Sequence, residues 1–182
     1  MKPINFVIGG LGGQGILFMT KILAKTALQK GFKVMGAETH GMAQRGGSVI
    51  SHLRLGDVKS SLVKAGDADF LLALEENEAY RNLPFLANQG VLCSNKSPGI
   101  FPVPEVDEYL RKTGIACHSI EAGTLSFELG APMSTNLALL GYFTTLDTSP
   151  FTCSELRKTI EAMSPDAYKD INLKVFDKGA QA

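Results

Sequence analysis

A short apolar run, INFVI at residues 4–8, ends directly in the glycine-rich stretch Gly9-Gly10-Leu11-Gly12-Gly13-Gln14-Gly15. An apolar run of this length that stops at glycine reads as a buried strand. Beyond the glycines, Ile16, Met19, Leu23 and Ala27 recur at helical spacing, while Lys21, Lys25 and Gln29 fall on another face. The pattern predicts a helix over 14–30 with Gly31 as its stop, followed by a second strand over 32–36. Strand, loop, helix and strand in that order make a right-handed βαβ unit with a parallel pair. The expectation is therefore a Rossmann-like start to an α/β chain.

Gly10, Gly12 and Gly15 satisfy G-x-G-x-x-G in the place where that motif has a physical meaning, after a strand and at the opening of a helix. Amides at a helix start, aided by the helix dipole, favour a phosphate or carboxylate. Glu38 follows later, at the end of the expected second strand, where a dinucleotide fold keeps its ribose-binding acid. The plainer alternative is a tight strand-to-helix turn whose glycines serve packing.

A polar stretch comes next, Glu38-Thr39-His40-Gly41-Met42-Ala43-Gln44-Arg45-Gly46-Gly47. Such a loop after a core strand lies at the carboxyl edge of a sheet, where α/β proteins bind ligands. Arg45 can fork onto a phosphate, a carboxylate or a partner's acid, and His40 can donate or titrate. The alternative is a surface loop held by glycine turns.

Further on, SVISHLRL at 48–55 alternates, with Val49, Ser51, Leu53 and Leu55 on one face, and reads as a strand near a sheet edge. Residues 59–63 suggest another short strand. DFLLAL at 69–74 and GVLCSN at 90–95 read as central strands, with a helix near 76–88 interrupted at Pro84. The acids Glu75 and Glu76 are expected to cap that helix. A loop at 96–104, a helix at 105–114, a strand at 115–120 and helices at 134–146 and 154–163 complete the pattern, with Asn136 as a cap or inter-helix hydrogen bond. Strands alternating with helices imply a three-layer α/β/α sandwich around a mostly parallel mixed sheet. One domain over 1–182 is expected, with 174–182 as a frayed polar tail.

Composition narrows the function. Lys plus Arg and Asp plus Glu number 18 each, so no overall field draws the chain to nucleic acid or an anionic membrane. The N-terminal run is too short for a signal peptide, and no stretch approaches a membrane span, so a cytoplasmic location is expected. Cys93, Cys117 and Cys153 are widely spaced and form no C-x-x-C, which argues against a disulfide framework or a cluster ligated by this chain. His40, His52 and His118 share no metal-ligand spacing, so no metal site is expected.

GGLGGQGI with its apolar helix, then ETHGMAQRGGSV, HLRLG and NLALLG, together resemble the gamma-type subunit of 2-oxoacid:ferredoxin oxidoreductases, from Asn5 to about Phe176. The HGMAQRGG form is most similar to the indolepyruvate and keto-acid branch and leans away from pyruvate. The resemblance implies a reaction in which a 2-oxoacid is decarboxylated on thiamine diphosphate. Electrons then pass through iron–sulfur clusters to ferredoxin, and the acyl group passes to coenzyme A. It also implies that the thiamine cofactor is held through magnesium by a Gly-Asp-Gly motif and a downstream Asn. Gly56-Asp57-Val58 and Gly66-Asp67-Ala68 do not complete that motif.

Thiamine diphosphate, magnesium and the clusters are thus expected on partner subunits, with ferredoxin met through the complex. This chain is expected to carry no catalytic residue, to be inactive alone, and to help form the coenzyme A side of a shared site. The residues expected there are Gly10, Gly12, Gly13, Gln14, Gly15, Glu38, His40, Arg45, Gly46 and Gly47. The same loops could instead dock a partner subunit, and exposed apolar surface could drive a homodimer of the isolated chain. The rival class is a stand-alone NAD- or FAD-binding Rossmann-like protein. Its weakness is length, because no second glycine-rich βα turn appears in the later half. A structural subunit without a ligand is the third reading.

Overall fold

The computed structural model describes residues 2–40 and 46–182. Six strands, β1 (Ile4–Leu11), β2 (Val34–His40), β3 (Ser48–Leu55), β4 (Ala68–Ala73), β5 (Leu86–Asn95) and β6 (Ala116–Ile120), form one sheet in the order β2-β3-β1-β4-β5-β6. The pairs β1–β4, β4–β5 and β5–β6 are parallel, and β3 runs antiparallel to both β1 and β2. Mixed, mostly parallel pairing with helices on both faces agrees with the expected α/β architecture.

Alternation along the strands splits the core in two. Phe6, Ile8, Phe70, Leu72, Val91 and Cys93 point to one face, where they meet α1 (Ile16–Gln29), α5 (Thr135–Phe143), α6 (Cys153–Met163) and α7 (Asp166–Gly179). Phe6 stacks on Phe70 at 4.8 Å between ring centroids, and Phe143 meets both rings edge-on. Val7, Leu71, Ala73 and Leu92 point to the other, thinner face, covered by α2 (Glu76–Asn82) and α3 (Pro104–Thr113). Each central strand is therefore buried on both sides, which is why DFLLAL shows no alternation of polarity.

Several expectations change. Strands β1 and β2 do run parallel around α1, but they do not pair. β3 folds back from β2 and occupies the slot beside β1, in register from Ile4 opposite Leu55 to Leu11 opposite Ser48. β3 is thus interior, and the edges are β2 and β6. Its alternation arises because Val49, Leu53 and Leu55 join the main core while Ile50 and His52 face the thinner layer.

Residues 59–63 form no strand, because side chains of β3 take up the backbone groups there. The Val63 amide donates to His52 Nδ1 at 3.3 Å, and Arg54 donates to the Ser60 and Leu62 carbonyls at 3.1 and 3.3 Å. The helix over 76–88 stops at Asn82. A 3-10 turn at Leu83–Phe85 follows, with Pro84 near its start, and β5 begins already at Leu86. The second strand extends through His40, so Glu38 belongs to β2 and not to an irregular loop.

Two helices lack a sequence signal. The helix α4 (Ala122–Glu128) opens on small residues with no side-chain cap, and α7 starts behind Pro165 with none either. Residues 174–179 are not a frayed tail. They close α7, with Val175 and Phe176 fully buried. Helix α7 crosses α5 so closely that a Cβ at Gly141 would run into the Phe176 carbonyl, and one at Gly179 into the Ala138 carbonyl. For α6, Thr152 proves to be the cap, in a reciprocal capping box with Glu155.

Candidate functional site

The glycine-rich stretch turns the chain from β1 into α1 at the carboxyl edge of the sheet. Gly13 and Gly15 sit at φ +102° and +77°, a region closed to most L residues, and Gly15 is the N-cap of α1. No side chain caps this helix. Among the described residues, the amides of Gly13, Gly15, Ile16 and Leu17 find no hydrogen-bond acceptor. Four adjacent donors at a helix start, with the dipole behind them, make an anion-binding concavity. They border a cavity of about 360 Å³ lined by Leu11, Gly12, Gly13, Gly15, Leu17 and Val49.

Three contacts from distant parts of the chain hold this loop. The Gly12 amide donates to the Gly47 carbonyl at 2.9 Å, which joins the two loops singled out in the sequence. Asn136, 3% exposed at the start of α5, donates its side-chain amide to the Gly15 carbonyl at 3.0 Å. A Cβ at Gly15 would lie 2.5 Å from that same Asn136 nitrogen, so the residue must be glycine for space as well as for φ. The Gln14 side chain folds back over the loop. Its Oε1 accepts from the Leu11 amide at 2.8 Å, and its Nε2 donates to Glu75 Oε1.

The other candidates are distributed as follows. Gly10 is the penultimate residue of β1, and its would-be Cβ meets Gln14 Oε1 at 2.9 Å. Gly46 has φ +71°. Glu38 is exposed on edge strand β2, opposite Ser51, which in turn lies opposite Ile8. A whole strand therefore separates it from β1, unlike the adjacent strand that carries the ribose acid of a dinucleotide fold. The His40 backbone pairs with Val49 at the end of β2. Arg45 lies outside the described residues.

Asn136 makes an inter-helix hydrogen bond as expected, but sequence reasoning did not foresee its partner Gly15, nor Glu75 as part of this edge. Glu75 is indeed the N-cap residue of α2, but its side chain makes no cap bond and reaches Gln14 instead. Glu76 Oε1 accepts from the Ser97 amide at 2.6 Å. Next along the edge, Asn95 ties the Leu74 carbonyl to the Gly123 amide, at 3.2 and 3.1 Å. Glu75 and Glu76 thus brace loops instead of capping their own helix, while Asn95 accepts from an amide in the first turn of α4.

A second, larger cavity of about 510 Å³ adjoins the first through Gly13 and Gly15. Its walls are mostly apolar: Phe18, Leu137, Met163 and Pro165, with Met133 and Tyr168 73% and 62% exposed. Phe127 on nearby α4 is equally bare, at 74%.

Elsewhere the titratable groups are ordinary structural ones. Burial lowers the His52 pKa, and pushes the Cys93 thiol up and that of Cys117 to about 11. Among the described residues, no group of three or more His, Cys, Asp or Glu side chains is arranged to hold a metal ion. No helix is long and apolar enough to cross a membrane.

Known proteins resemble this chain over its whole length. The indolepyruvate oxidoreductase subunit IorB of Pyrococcus horikoshii is 35% identical over 100% of this chain and 96% of its own length. The fold matches the gamma subunit of a keto/oxoacid ferredoxin oxidoreductase from Geobacter sulfurreducens, with a TM-score of 0.74, 22% identity and coverage of 98% and 96% of the two chains. It also matches 31% of a longer chain of the 2-oxoglutarate:ferredoxin oxidoreductase of Magnetococcus marinus, solved with 2-oxoglutarate, coenzyme A and succinyl-CoA bound, at a TM-score of 0.78 and 20% identity over all of this chain. The family described as pyruvate ferredoxin/flavodoxin oxidoreductase matches residues 5–182, and the chain belongs to that family.

Proposed function

We propose that this chain is the gamma-type subunit of a 2-oxoacid:ferredoxin oxidoreductase and forms the coenzyme A side of its active site. The assembled enzyme oxidatively decarboxylates a 2-oxoacid to an acyl-CoA and passes the electrons to ferredoxin. The observation that carries this reading is the run of open amides at Gly13, Gly15, Ile16 and Leu17 over a cavity at the carboxyl edge. Coenzyme A is a multi-phosphate anion and suits those donors. Gly10, Gly12, Gly46 and Gly47 shape the wall. Arg45 and His40 are side chains able to meet an anion, and Gln14 and Glu38 complete the set. Thiamine diphosphate and magnesium belong to partner subunits, because Gly56-Asp57-Val58 and Gly66-Asp67-Ala68 lack the second glycine of the cofactor motif, and so do the clusters, because Cys93, Cys117 and Cys153 are too widely spaced to ligate one. The relatives at 35% identity favour the indolepyruvate branch, and the protein works in the cytoplasm, as one domain, without nucleic acid or membrane.

The test is coenzyme A affinity of the assembled complex carrying Arg45→Ala or Gly13→Ala. Weaker affinity in both is expected, and unchanged affinity in both sinks the assignment. A second use of the same region rests on the exposed Phe127, Met133 and Tyr168 beside the loop. We propose that a thiamine-bearing partner covers this surface, and that the isolated chain uses it to self-associate. Loss of assembly with normal affinity in the residual complex favours docking as the main role of the loop.

A further inference from the structure

The glycine-rich loop is flexible by composition yet must present its amides in one geometry. Backbone glycines cannot impose that geometry, since each admits several φ and ψ combinations. The Gly12–Gly47 and Asn136–Gly15 bonds anchor the loop's two ends, and between them Gln14 is the one residue with a side chain. Its amide group bridges two directions: Oε1 receives the Leu11 N–H at 2.8 Å, and Nε2 donates to Glu75 Oε1. A primary amide has one accepting and one donating end. An ionised carboxylate only accepts, so it admits the donating end alone. Glu75 therefore decides which way the Gln14 amide faces, and hence whether Leu11 finds its acceptor.

Glu75 is well placed for this task. It follows Leu74, whose amide donates to the Gly9 carbonyl at 2.9 Å and so extends the β1–β4 pairing to the base of the loop. Its carboxylate is half-buried and makes no cap bond to α2. A carboxylate beside an anion-binding loop is electrostatically adverse for the ligand. Its presence is explained by the clasp and not by charge.

We propose that Glu75 is a positioning residue, which sets the geometry of the glycine-rich loop by orienting the Gln14 amide. The clasp fixes both flanks of Gly12–Gly13, and thereby the direction of the Gly13 and Gly15 amides. The effect on coenzyme A rests on the reading of the loop as its wall, whereas the effect on loop order does not.

Two variants separate clasp from charge. Glu75→Ala removes both, while Glu75→Gln removes the charge and keeps an acceptor for Gln14 Nε2. Both are read in the assembled oxidoreductase, by hydrogen–deuterium exchange over residues 9–19 without coenzyme A, and by KM for coenzyme A against kcat at saturation. For Glu75→Ala we expect faster exchange and a KM raised about tenfold, the scale of one lost charge-assisted hydrogen bond, with kcat within about twofold. Glu75→Gln keeps an acceptor but no longer excludes the reversed Gln14 amide, so its exchange should fall between the parent and Glu75→Ala, nearer the parent, with coenzyme A bound within about twofold of the parent. Unchanged exchange in Glu75→Ala overturns the proposal. So does a Glu75→Gln variant that fails as Glu75→Ala does, or an equal fall of kcat, assembly and melting temperature in both. Faster exchange in Glu75→Ala, rescued in Glu75→Gln, with KM unchanged in both, upholds the positioning role and sinks the coenzyme A reading instead.

Discussion

The two ends of the sheet carry cavities of nearly equal size and opposite chemistry. At the amino ends of the strands, about 370 Å³ is lined by Lys2, Asp69, Gln89, Gly90 and Pro150. The charged groups of its wall are already paired. Asp69 accepts the Asn5 amide at 2.8 Å and pairs with Lys2 at 3.5 Å, while Asn5 exchanges hydrogen bonds with the Asp67 carbonyl and Arg54, both at 2.9 Å. At the carboxyl ends, the cavity of about 360 Å³ is bordered by backbone donors that find no acceptor among the described residues. Volume does not distinguish the two ends. What distinguishes them is whether hydrogen-bonding capacity has been consumed by the fold or left for something else.

The comparison can be broken most severely at Gly15. In the assembled complex, Gly15→Val should weaken coenzyme A binding about a hundredfold, because a β-branched residue at positive φ also pushes away Asn136. The measurement is KM for coenzyme A with the 2-oxoacid saturating, and a change below about threefold would mean that the open amides are not the binding groups. Loss of the Gln14 clasp in Glu75→Ala ranks next, about tenfold on the same measurement. At the closed end, Asp69→Ala should instead cost about 1–2 kcal/mol in urea unfolding, by freeing the Asn5 amide, and leave coenzyme A kinetics untouched. An altered KM there would erase the distinction between the ends.

The smallest effects come from two groups in the thinner layer. The His52 pKa lies below its ordinary value because burial disfavours the imidazolium. As pH falls below about 6.5 the unfolded chain binds the proton first, so stability should fall in acid, and this arm should flatten in His52→Gln. Cys117 has the opposite sign. Its thiol is pushed up to about 11, so the unfolded chain ionises first and stability should fall as pH rises from about 9 toward 11. Thermal melts across pH in the parent, His52→Gln and Cys117→Ala check both arms.

Much of this was legible in the sequence, and the reasons differ by element. The strand at 69–74 and the strand-to-helix turn at the glycines announce themselves through apolar runs and residue types that permit one local geometry. The placement of β3 between β1 and β2 is not local information. It depends on a pairing that spans more than forty residues, from Ile4 to Leu55, and the alternation of β3 serves an interior strand between unlike layers as well as an edge. Helix α7 escaped because Pro165 gives no capping signal and its buried Val175 and Phe176 stand among lysines and aspartates. The two candidate loops were recognisable, and the bond between Gly12 and Gly47 joins them. Their braces were not recognisable, because Glu75 and Asn136 lie 61 and 121 residues from their partners and carry no motif.

The crossing of α5 and α7 has a consequence for the opposite end of α5. Gly141 sets how near the two helices lie, and Asn136, which grips the Gly15 carbonyl, is five residues earlier on the same rod, about 7.5 Å along its axis. A helix of this length moves as a stiff lever. A methyl group at Gly141 or Gly179 would shift its fulcrum, and the error would be read at Gly15 as a misplaced amide. The machining tolerance of the glycine-rich loop is therefore set in part by two hydrogen atoms, one on each helix, well away from the loop itself.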